Sequence, residues 1–458
     1  MNDTPIHLAF EGGTLVVTGG APDQLAALPY CKYDPRASVY RAEGRAYRPL
    51  VEHLRQHQTP YKDEARHYQL TPWPLRVSRN PFPHQSEAVA VWQQQGSRGV
   101  VVLPTGTGKT FVAVLAIHHT GRPALVVTPT IDLMTQWYSE LRLAFDVPIG
   151  LLGGGYHDIQ PLTVTTYDSA HMHVERWGHR FGLLIFDECH HLPGASYMAA
   201  AVGAIAPYRL GLTATPERTD GQEALFDSLI GPIVYRREIR ELSGDFLADY
   251  QTQRLYVELT EDEAMAYQQA RDHYRQFCSE RGISMAGPQG WQRFIQETSR
   301  SREGRAAFQA YREQRRLALA APAKLHLLEK LLETHRRDRV LIFTYDNATV
   351  YQIARQYLAP AITHQTKTKE RKHILDGFQS GAYSVIVTSR VLNEGVDVPA
   401  ANVGIVLSGT STVTEHVQRL GRLLRKHADK RALLIEVVTR GTVEEYITER
   451  RRQHHAYQ

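Results

Sequence analysis

The sequence predicts a parallel α/β fold built twice, with a small α+β module in front and a helical insertion between the two halves. Three observations predict it. Short apolar runs recur, each ending at a polar motif and followed by a helical pattern, which is the texture of parallel sheets covered by helices. That rhythm stops near Gly244, where long charged helical sequence takes over, and it resumes after Pro322. The stretch before Ser78 has a hairpin pattern and two short helices instead. The expected boundaries are 1–78, 79–243, 244–322 and 323–458.

In the first module, IHLAFEGGTLVV reads as a hairpin, with helices near Pro22–Leu28 and Arg48–Gln56. Thr71 to Pro83 carries four prolines and reads as a linker or a wrapped connection. Strands of the first half are GVVVL ending at Leu103, ALVVT at Thr128, LTVTT at Thr166, LLIFD at Asp187 and RLGLT at Thr213. Those of the second are RVLIFT ending at Thr344, SVIVT at Thr388, VGIVL at Leu407 and ALLIEVV at Val438. Between them, YQQARDHYRQFCSERG and FQAYREQRRLALA read as helices. Open parallel sheets bind ligands at the C-terminal ends of their strands, where these polar motifs fall.

Composition narrows the class. With 458 residues, 42% hydrophobic and 22% charged, the chain is long enough for several folded domains and unlike a disordered one. A net charge of +5 suits a polyanionic partner and is equally ordinary for an enzyme. Cys31, Cys189 and Cys278 are scattered, which argues against a disulfide framework, a zinc site or an iron–sulfur cluster and for a reducing cytoplasm. No apolar run is long enough to span a bilayer, and MNDTPIHLAF lacks the pattern of an export signal.

VVLPTGTGKTFVAV runs strand, glycine loop, helix. Backbone N–H groups of Thr105, Gly106, Thr107 and Gly108 are placed to surround phosphate oxygens, Lys109 to supply a charge for the outer phosphates, and Thr110 to hold Mg²⁺. The first glycine of the general phosphate-loop pattern is replaced by Leu103. At the end of a later strand stands Asp187-Glu188-Cys189-His190-His191. Alone, such an acidic pair is as readily a solvated turn. Behind a phosphate loop, Asp187 is placed for Mg²⁺ and Glu188 for activating water. Cys189 reads as a small buried residue, and His190 as a link to neighbouring motifs.

Taken in order, PFPHQ, LPTGTGKT, TPTIDLMTQW, TTYDSA, DECHH, LTATPER, VLIFTYD, TSRVLNEGVDVP and QRLGRLLR resemble superfamily 2 helicases of the DExH type. The likeness covers residues 80–438. It implies two tandem RecA-like motor domains and an ATP- and Mg²⁺-dependent motor on DNA. Within the superfamily, DECHH, QRLGRLLR and the helical insertion resemble the XPB (xeroderma pigmentosum group B) repair helicases. That layout implies a damage-recognition-like N-terminal domain and a thumb-like insertion. The resemblance further implies that Gln85 reads adenine, that Gly395 and Asp397 border the ribose, and that Arg422 and Arg425 reach the γ-phosphate with Gln418 one turn earlier. Thr213 and Thr215, with His190, couple the sites. Where these helicases often carry Arg-Glu-Asp for opening duplex, this chain has Arg218-Thr219-Asp220. The departure bears on strand separation more than on ATP hydrolysis.

The same resemblance places Thr128, Pro129, Thr130, Thr165, Thr166, Thr388 and Arg390 along a nucleic-acid strand, with Arg218 and Asp220 near the duplex junction. Small hydroxyls and exposed backbone suit phosphate contacts. In the insertion, Arg305, Arg312 and Arg316 share one helical face near Phe308 and Tyr311. Either that face grips a strand with the aromatics stacking at a junction, or it is a solvated amphipathic face whose aromatics pack inward.

The function expected from the resemblance is 3′-to-5′ DNA helicase or translocase activity in repair by a monomer. The competing expectations are a duplex translocase that does not separate strands, and a nucleotide-gated scaffold recruiting a nuclease. RNA remains open, because contacts to phosphates can ignore the 2′-hydroxyl.

Overall fold

The computed structural model describes residues 5–218, 220–244, 246–285, 289–389, 401–408 and 431–452. It divides into two compact units, 1–237 and 238–458, each taken by itself below.

The first unit opens with a five-stranded mixed sheet, ordered β3-β4-β2-β1-β5. Its strands are β1 (Ile6–Glu11), β2 (Thr14–Thr18), β3 (Lys32–Asp34), β4 (Val39–Glu43) and β5 (Tyr61–Asp63). The expected hairpin is β1–β2, closed at the pair Glu11 and Thr14 around Gly12-Gly13. Alternation puts Ile6, Leu8, Leu15 and Val17 on one face, where Leu50 and Leu54 of helix Tyr47–Gln56 cover them. Strands β3 to β5 are short and polar, so their apolar periodicity is too weak to read.

The proline-rich segment is a wrapped connection. Trp73 is buried and donates Nε1 to Arg122 O at 2.9 Å, while Arg76 N donates to Ala144 O at 2.9 Å.

Eight strands form the next sheet: β6 (Arg98–Val102), β7 (Ala124–Thr128), β8 (Ile149–Gly153), β9 (Tyr156–Asp158), β10 (Leu162–Thr166), β11 (Leu183–Asp187), β12 (Tyr208–Thr213) and β13 (Ile233–Arg236). Their order is β13-β6-β12-β11-β7-β10-β8-β9, parallel throughout except for β9 against β8. All five strands expected here are present. Their interiors are apolar on both faces, as a sheet covered on both sides requires.

The second unit carries β14 (Asp249–Val257), β15 (Val340–Phe343), β16 (Ala361–Ile362), β17 (Val385–Thr388), β18 (Val403–Val406) and β19 (Arg431–Thr439). Their parallel order is β14-β19-β18-β15-β17-β16. One expectation is corrected: sequence from Gly244 onward reads as helical, yet Asp249–Val257 is a strand paired with β19 along its whole length. As an edge strand it buries little apolar surface, so DYQTQRLYV gives no strong strand signal. The helical segment therefore runs from Glu261 to Leu319, in helices Glu261–Glu280, Gly290–Arg300 and Arg302–Leu319. Beneath β18 and β19, Lys324 and Glu444 form a buried ion pair at 2.6 Å, each 1% exposed. Lys324 Nζ also donates to Val437 O at 3.0 Å, and Thr439 N donates to Glu444 Oε2 at 2.8 Å.

Candidate nucleotide site and nucleic-acid path

The phosphate loop leaves β6 at Leu103 and enters helix Lys109–Thr120 through Gly108. Gly108 has φ +83°, a conformation that favours glycine, and a Cβ there would lie 2.4 Å from Gln85 Nε2 and displace that amide. No side chain caps this helix, which leaves its first N–H groups available to an anion. Lys109 Nζ rests on Leu103 O at 3.2 Å, and Thr107 Oγ1 donates to Pro104 O at 2.8 Å. Thr110 is half-buried on the helix's first turn.

Gln85 is only 3% exposed, with Nε2 donating to Thr107 O at 2.9 Å and Oε1 accepting from Phe82 N at 3.0 Å. The residue expected to read adenine thus braces the phosphate loop. His84, which sequence reasoning missed, is within 3.0 Å of the same carbonyl.

Asp187 ends β11 with 6% exposure. Its Oδ2 accepts from Trp137 Nε1 at 2.7 Å, its Oδ1 from Glu188 N at 3.0 Å, and its carbonyl from Tyr167 Oη at 3.0 Å. Burial, then the Glu188 charge, pushes its carboxyl up to about 6, against the pull of Trp137 and Lys109. Trp137 and Tyr167 lie inside motifs quoted for the resemblance, yet their link to Asp187 spans 50 and 20 residues and leaves no local signal.

Glu188 adopts φ +44°, unusual for a residue with a side chain. Its Oε2 is buried with no hydrogen-bond partner and lies 3.6 Å from His190 Nδ1. His190 Nδ1 is 3.0 Å from Thr213 Oγ1, which donates to Thr215 O at 3.1 Å and accepts from Thr215 N at 3.1 Å. With the hydroxyl proton on Thr215 O, the network assigns the imidazole proton to Nδ1. Arg218 Nη1 donates to His190 O, and the guanidinium pairs with Asp220 at 2.6 Å. Hydrogen bonds thus join His190 to Thr213 and Thr215 through its ring and to Arg218 and Asp220 through its carbonyl, with Glu188 alongside. Cys189 is fully buried and its thiol is pushed well up by burial.

Two carboxylates, one of them with an orphaned oxygen, and a threonine suit a metal that keeps waters and phosphate oxygens as its other ligands, the habit of Mg²⁺. Among the described residues no group of three or more His, Cys, Asp or Glu is arranged to hold a metal ion by itself.

Four of the five expected strand-contacting threonine hydroxyls, those of Thr128, Thr165, Thr166 and Thr388, donate inside the fold. Thr128 Oγ1 donates to Thr165 O at 3.1 Å, and Thr165 Oγ1 to Leu152 O at 2.7 Å. Thr130 and Thr166 cap helices Ile131–Ala144 and Tyr167–Met172. Thr388 is buried, its Oγ1 donating to Ser389 O at 3.3 Å. Thr128, Thr165, Thr166 and Thr388 are buried and leave chiefly backbone for a strand, whereas Thr130 is half-buried and its hydroxyl accepts from Leu133 N at 3.2 Å. In the insertion the inward alternative holds for the aromatics: Phe308 and Tyr311 pack on Phe277, Phe294 and Ala307. Arg305 and Arg312 are exposed, and Arg316 pairs with Glu313 at 2.7 Å. Thr219, Arg390, Gly395, Asp397, Gln418, Arg422 and Arg425 lie outside the described residues.

Three families match the chain in succession. Residues 8–65 match the xeroderma pigmentosum group B helicase damage recognition domain, 78–218 the type III restriction enzyme res subunit, and 323–427 the helicase conserved C-terminal domain. DNA 3'-5' translocase XPB2 of Sulfurisphaera tokodaii is 39% identical over 429 residues, covering 93% of this chain and 97% of its own. DNA 3'-5' helicase XPB of Kineococcus radiotolerans is 31% identical over 395 residues, or 83% of this chain, which spans only 62% of that protein. In fold, the Hef helicase domain of Pyrococcus furiosus superposes with a TM-score of 0.56 at 18% identity, covering 80% of this chain and 97% of that domain. With 39% identity across nearly the whole length of a relative, and a matching damage recognition domain ahead of two helicase domains, the chain belongs to the XPB family of superfamily 2 helicases.

Proposed function

We propose that this chain is an ATP-driven motor that moves 3′ to 5′ along DNA in repair or transcription. The names of its XPB relatives support the substrate and direction. The observation that carries the chemistry is the buried, unpartnered Glu188 Oε2 beside Asp187, a carboxyl that the Lys109 charge reaches.

Lys109 leaves Leu103 O for the outer phosphates, while the N–H groups from Thr105 to Gly108 enclose them. Mg²⁺, held by Thr110 and Asp187, neutralises phosphate charge when bound. Glu188 Oε2 accepts a proton from the attacking water. His190 carries that change to Thr213 and Thr215 through its ring and to Arg218 and Asp220 through its carbonyl, since a relay of hydrogen bonds shifts as a unit. Resemblance assigns Gln85 to adenine, Gly395 and Asp397 to the ribose, and Gln418, Arg422 and Arg425 to the γ-phosphate. In the same reading 1–78 is the damage-recognition-like domain, the first motor domain follows to 243, the helices after β14 are the thumb and 323–458 holds most of the second motor domain. The exposed Arg305 and Arg312 face is the thumb's contact to phosphates.

ATPase rates with single-stranded, duplex and forked DNA and with RNA, beside strand displacement on a tailed duplex, test this reading. DNA-stimulated hydrolysis lost in Lys109→Ala and Glu188→Gln is expected. Turnover equal to the variants' would leave a nucleotide-gated scaffold, with nuclease recruitment as its work. Hydrolysis without displacement would make the chain a duplex translocase, a reading favoured by Thr219 at the glutamate position of the triplet and by the translocase name of the Sulfurisphaera relative. The monomeric state belongs to the same proposal and is read by light scattering.

A further inference from the structure

A cavity of about 170 Å³ lies in the first unit where the N-terminal module meets the eight-stranded sheet. Helix Tyr47–Gln56 lends it Arg48, Glu52 and Arg55, and the chain after β5 lends Arg66 and Tyr68. Arg122, just before β7, and Tyr208, the first residue of β12, form the opposite wall. The cavity therefore sits at the N-terminal ends of these parallel strands. Lys109 and Asp187 sit at the C-terminal ends, so the two places are separate.

The joint around it is tightly packed. A Cβ on Gly44 would lie 2.6 Å from the carbonyl of Gly203, and Ile205 belongs to the module's core while Ala204 and Ala206 belong to the sheet's. Arg209, fully buried, locks that strap by donating to Ala204 O at 2.8 Å and Ala206 O at 3.2 Å. A cavity held by such packing is preformed.

Its charge is unbalanced. Four arginines line it against a single carboxylate, Glu52, which Arg48 already holds at 2.8 Å. Arg122 lies over the Tyr208 ring at 4.4 Å, with its Nε buried and without a hydrogen-bond partner. Arg55 donates to Tyr61 Oη at 2.9 Å, and Arg66 is exposed over the Tyr68 ring at 5.7 Å. Behind the wall, Arg98 is held below its usual range by burial and then by the Arg48 charge. Guanidinium forks that outnumber the carboxylates beside them match the oxygens of a phosphate. The volume admits one phosphate with part of its sugar and is small for a whole nucleotide.

We propose that this cavity is a second anion site, which holds a backbone phosphate of a nucleic-acid strand on the side of the sheet opposite the ATP site. The strand as source rests on the DNA-motor reading; a free oligophosphate offers the same chemistry. The test uses the full chain, the pair Arg55→Ala with Arg66→Ala, and the charge-keeping pair Arg55→Lys with Arg66→Lys. Affinity for a single strand of about 20 nucleotides is measured across salt concentrations without ATP. Inorganic pyrophosphate is titrated calorimetrically on a Lys109→Ala background. Alanine is expected to weaken strand binding by about threefold to tenfold and to shallow the log–log salt slope by about 0.7 per lost phosphate contact. Lysine is expected to keep the slope, an outcome that misfolding would not give. Unchanged strand affinity and slope, together with a pyrophosphate isotherm indifferent to the arginines, would overturn the site. If the wild type bound no strand, the motor reading would fail. The pyrophosphate arm would then decide alone, an arginine-dependent isotherm supporting a free oligophosphate as ligand and a flat one overturning the proposal.

Discussion

Trp137 Nε1 donates to Asp187 Oδ2 at 2.7 Å, inside a site where both residues are almost fully buried. A helix of one motif thus fixes the acidic residue of another. Trp137→Phe leaves that carboxylate oxygen without its donor, a loss of about 1–3 kcal/mol at a buried polar group. The expected outcome is a lower thermal midpoint and an ATPase that needs more Mg²⁺ for half-maximal rate, measured by titrating the metal at fixed ATP. An unchanged metal requirement would show that Asp187 is positioned without Trp137.

Gly108→Ala places a methyl 2.4 Å from Gln85 Nε2 at a backbone φ of +83°. Loss of kcat/KM for ATP on the order of 100-fold is expected, as for small displacements of a reacting group. Adding Gln85→Ala removes the clash but leaves the backbone strain, so the double variant is expected to recover only in part. Full recovery would assign the glycine to space alone.

Arg218 ties His190 O to Asp220, whose carboxyl it holds down to about 2. Arg218→Ala is expected to lower strand displacement or translocation per ATP by at least about fivefold, the small end of ordinary coupling energies. Asp220 stays ionised well below the working range, so this defect is expected to be the same from pH 6 to pH 9. A defect that varied with pH would place the coupling elsewhere.

Lys324→Met strands Glu444 in the interior, which costs about 3–5 kcal/mol for a broken buried pair. Denaturant unfolding of this variant is expected to show an early transition. Adding Glu444→Leu is expected to recover part of the loss, since an apolar pair carries no unpaired charge.

Burial pushes the Cys31 thiol up to about 11 and those of Cys189 and Cys278 above their usual range. A raised thiol pKa means less thiolate at any lower pH, roughly one part in a thousand for Cys31 at pH 8. Native protein is expected to react slowly with a coloured disulfide reagent at pH 8, faster as pH approaches 11, and at ordinary rates once unfolded. Fast reaction of one thiol in the native state at pH 8 would contradict this.

All nine strands expected from apolar runs are present, because residues buried on both faces must be apolar whatever their neighbours are. Strands β3, β5 and β9 were illegible because exposed polar residues carry no such requirement, whereas β8 is apolar and buried and went unread all the same. β14 went unread because it is an edge strand whose pairing with β19 is fixed from 182 residues away. Within the site, the loop from Thr105 to Thr110 and the pair Asp187-Glu188 were legible because their chemistry is contiguous. The roles of Trp137 and Tyr167, and the turning of Gln85 onto the phosphate loop, were not.

The sequence by itself determined the kind of machine: strand, phosphate loop and helix, an acidic pair at a strand end, and a second parallel half, since each is a local arrangement of backbone and side-chain types. Only the tertiary structure decided which hydroxyls are spent inside the fold, which aromatic rings hold the acidic pair, and where arginines from separate segments gather. Those depend on residues far apart in the chain, and hydrogen bonds across such separations are selected by packing, which no local pattern records.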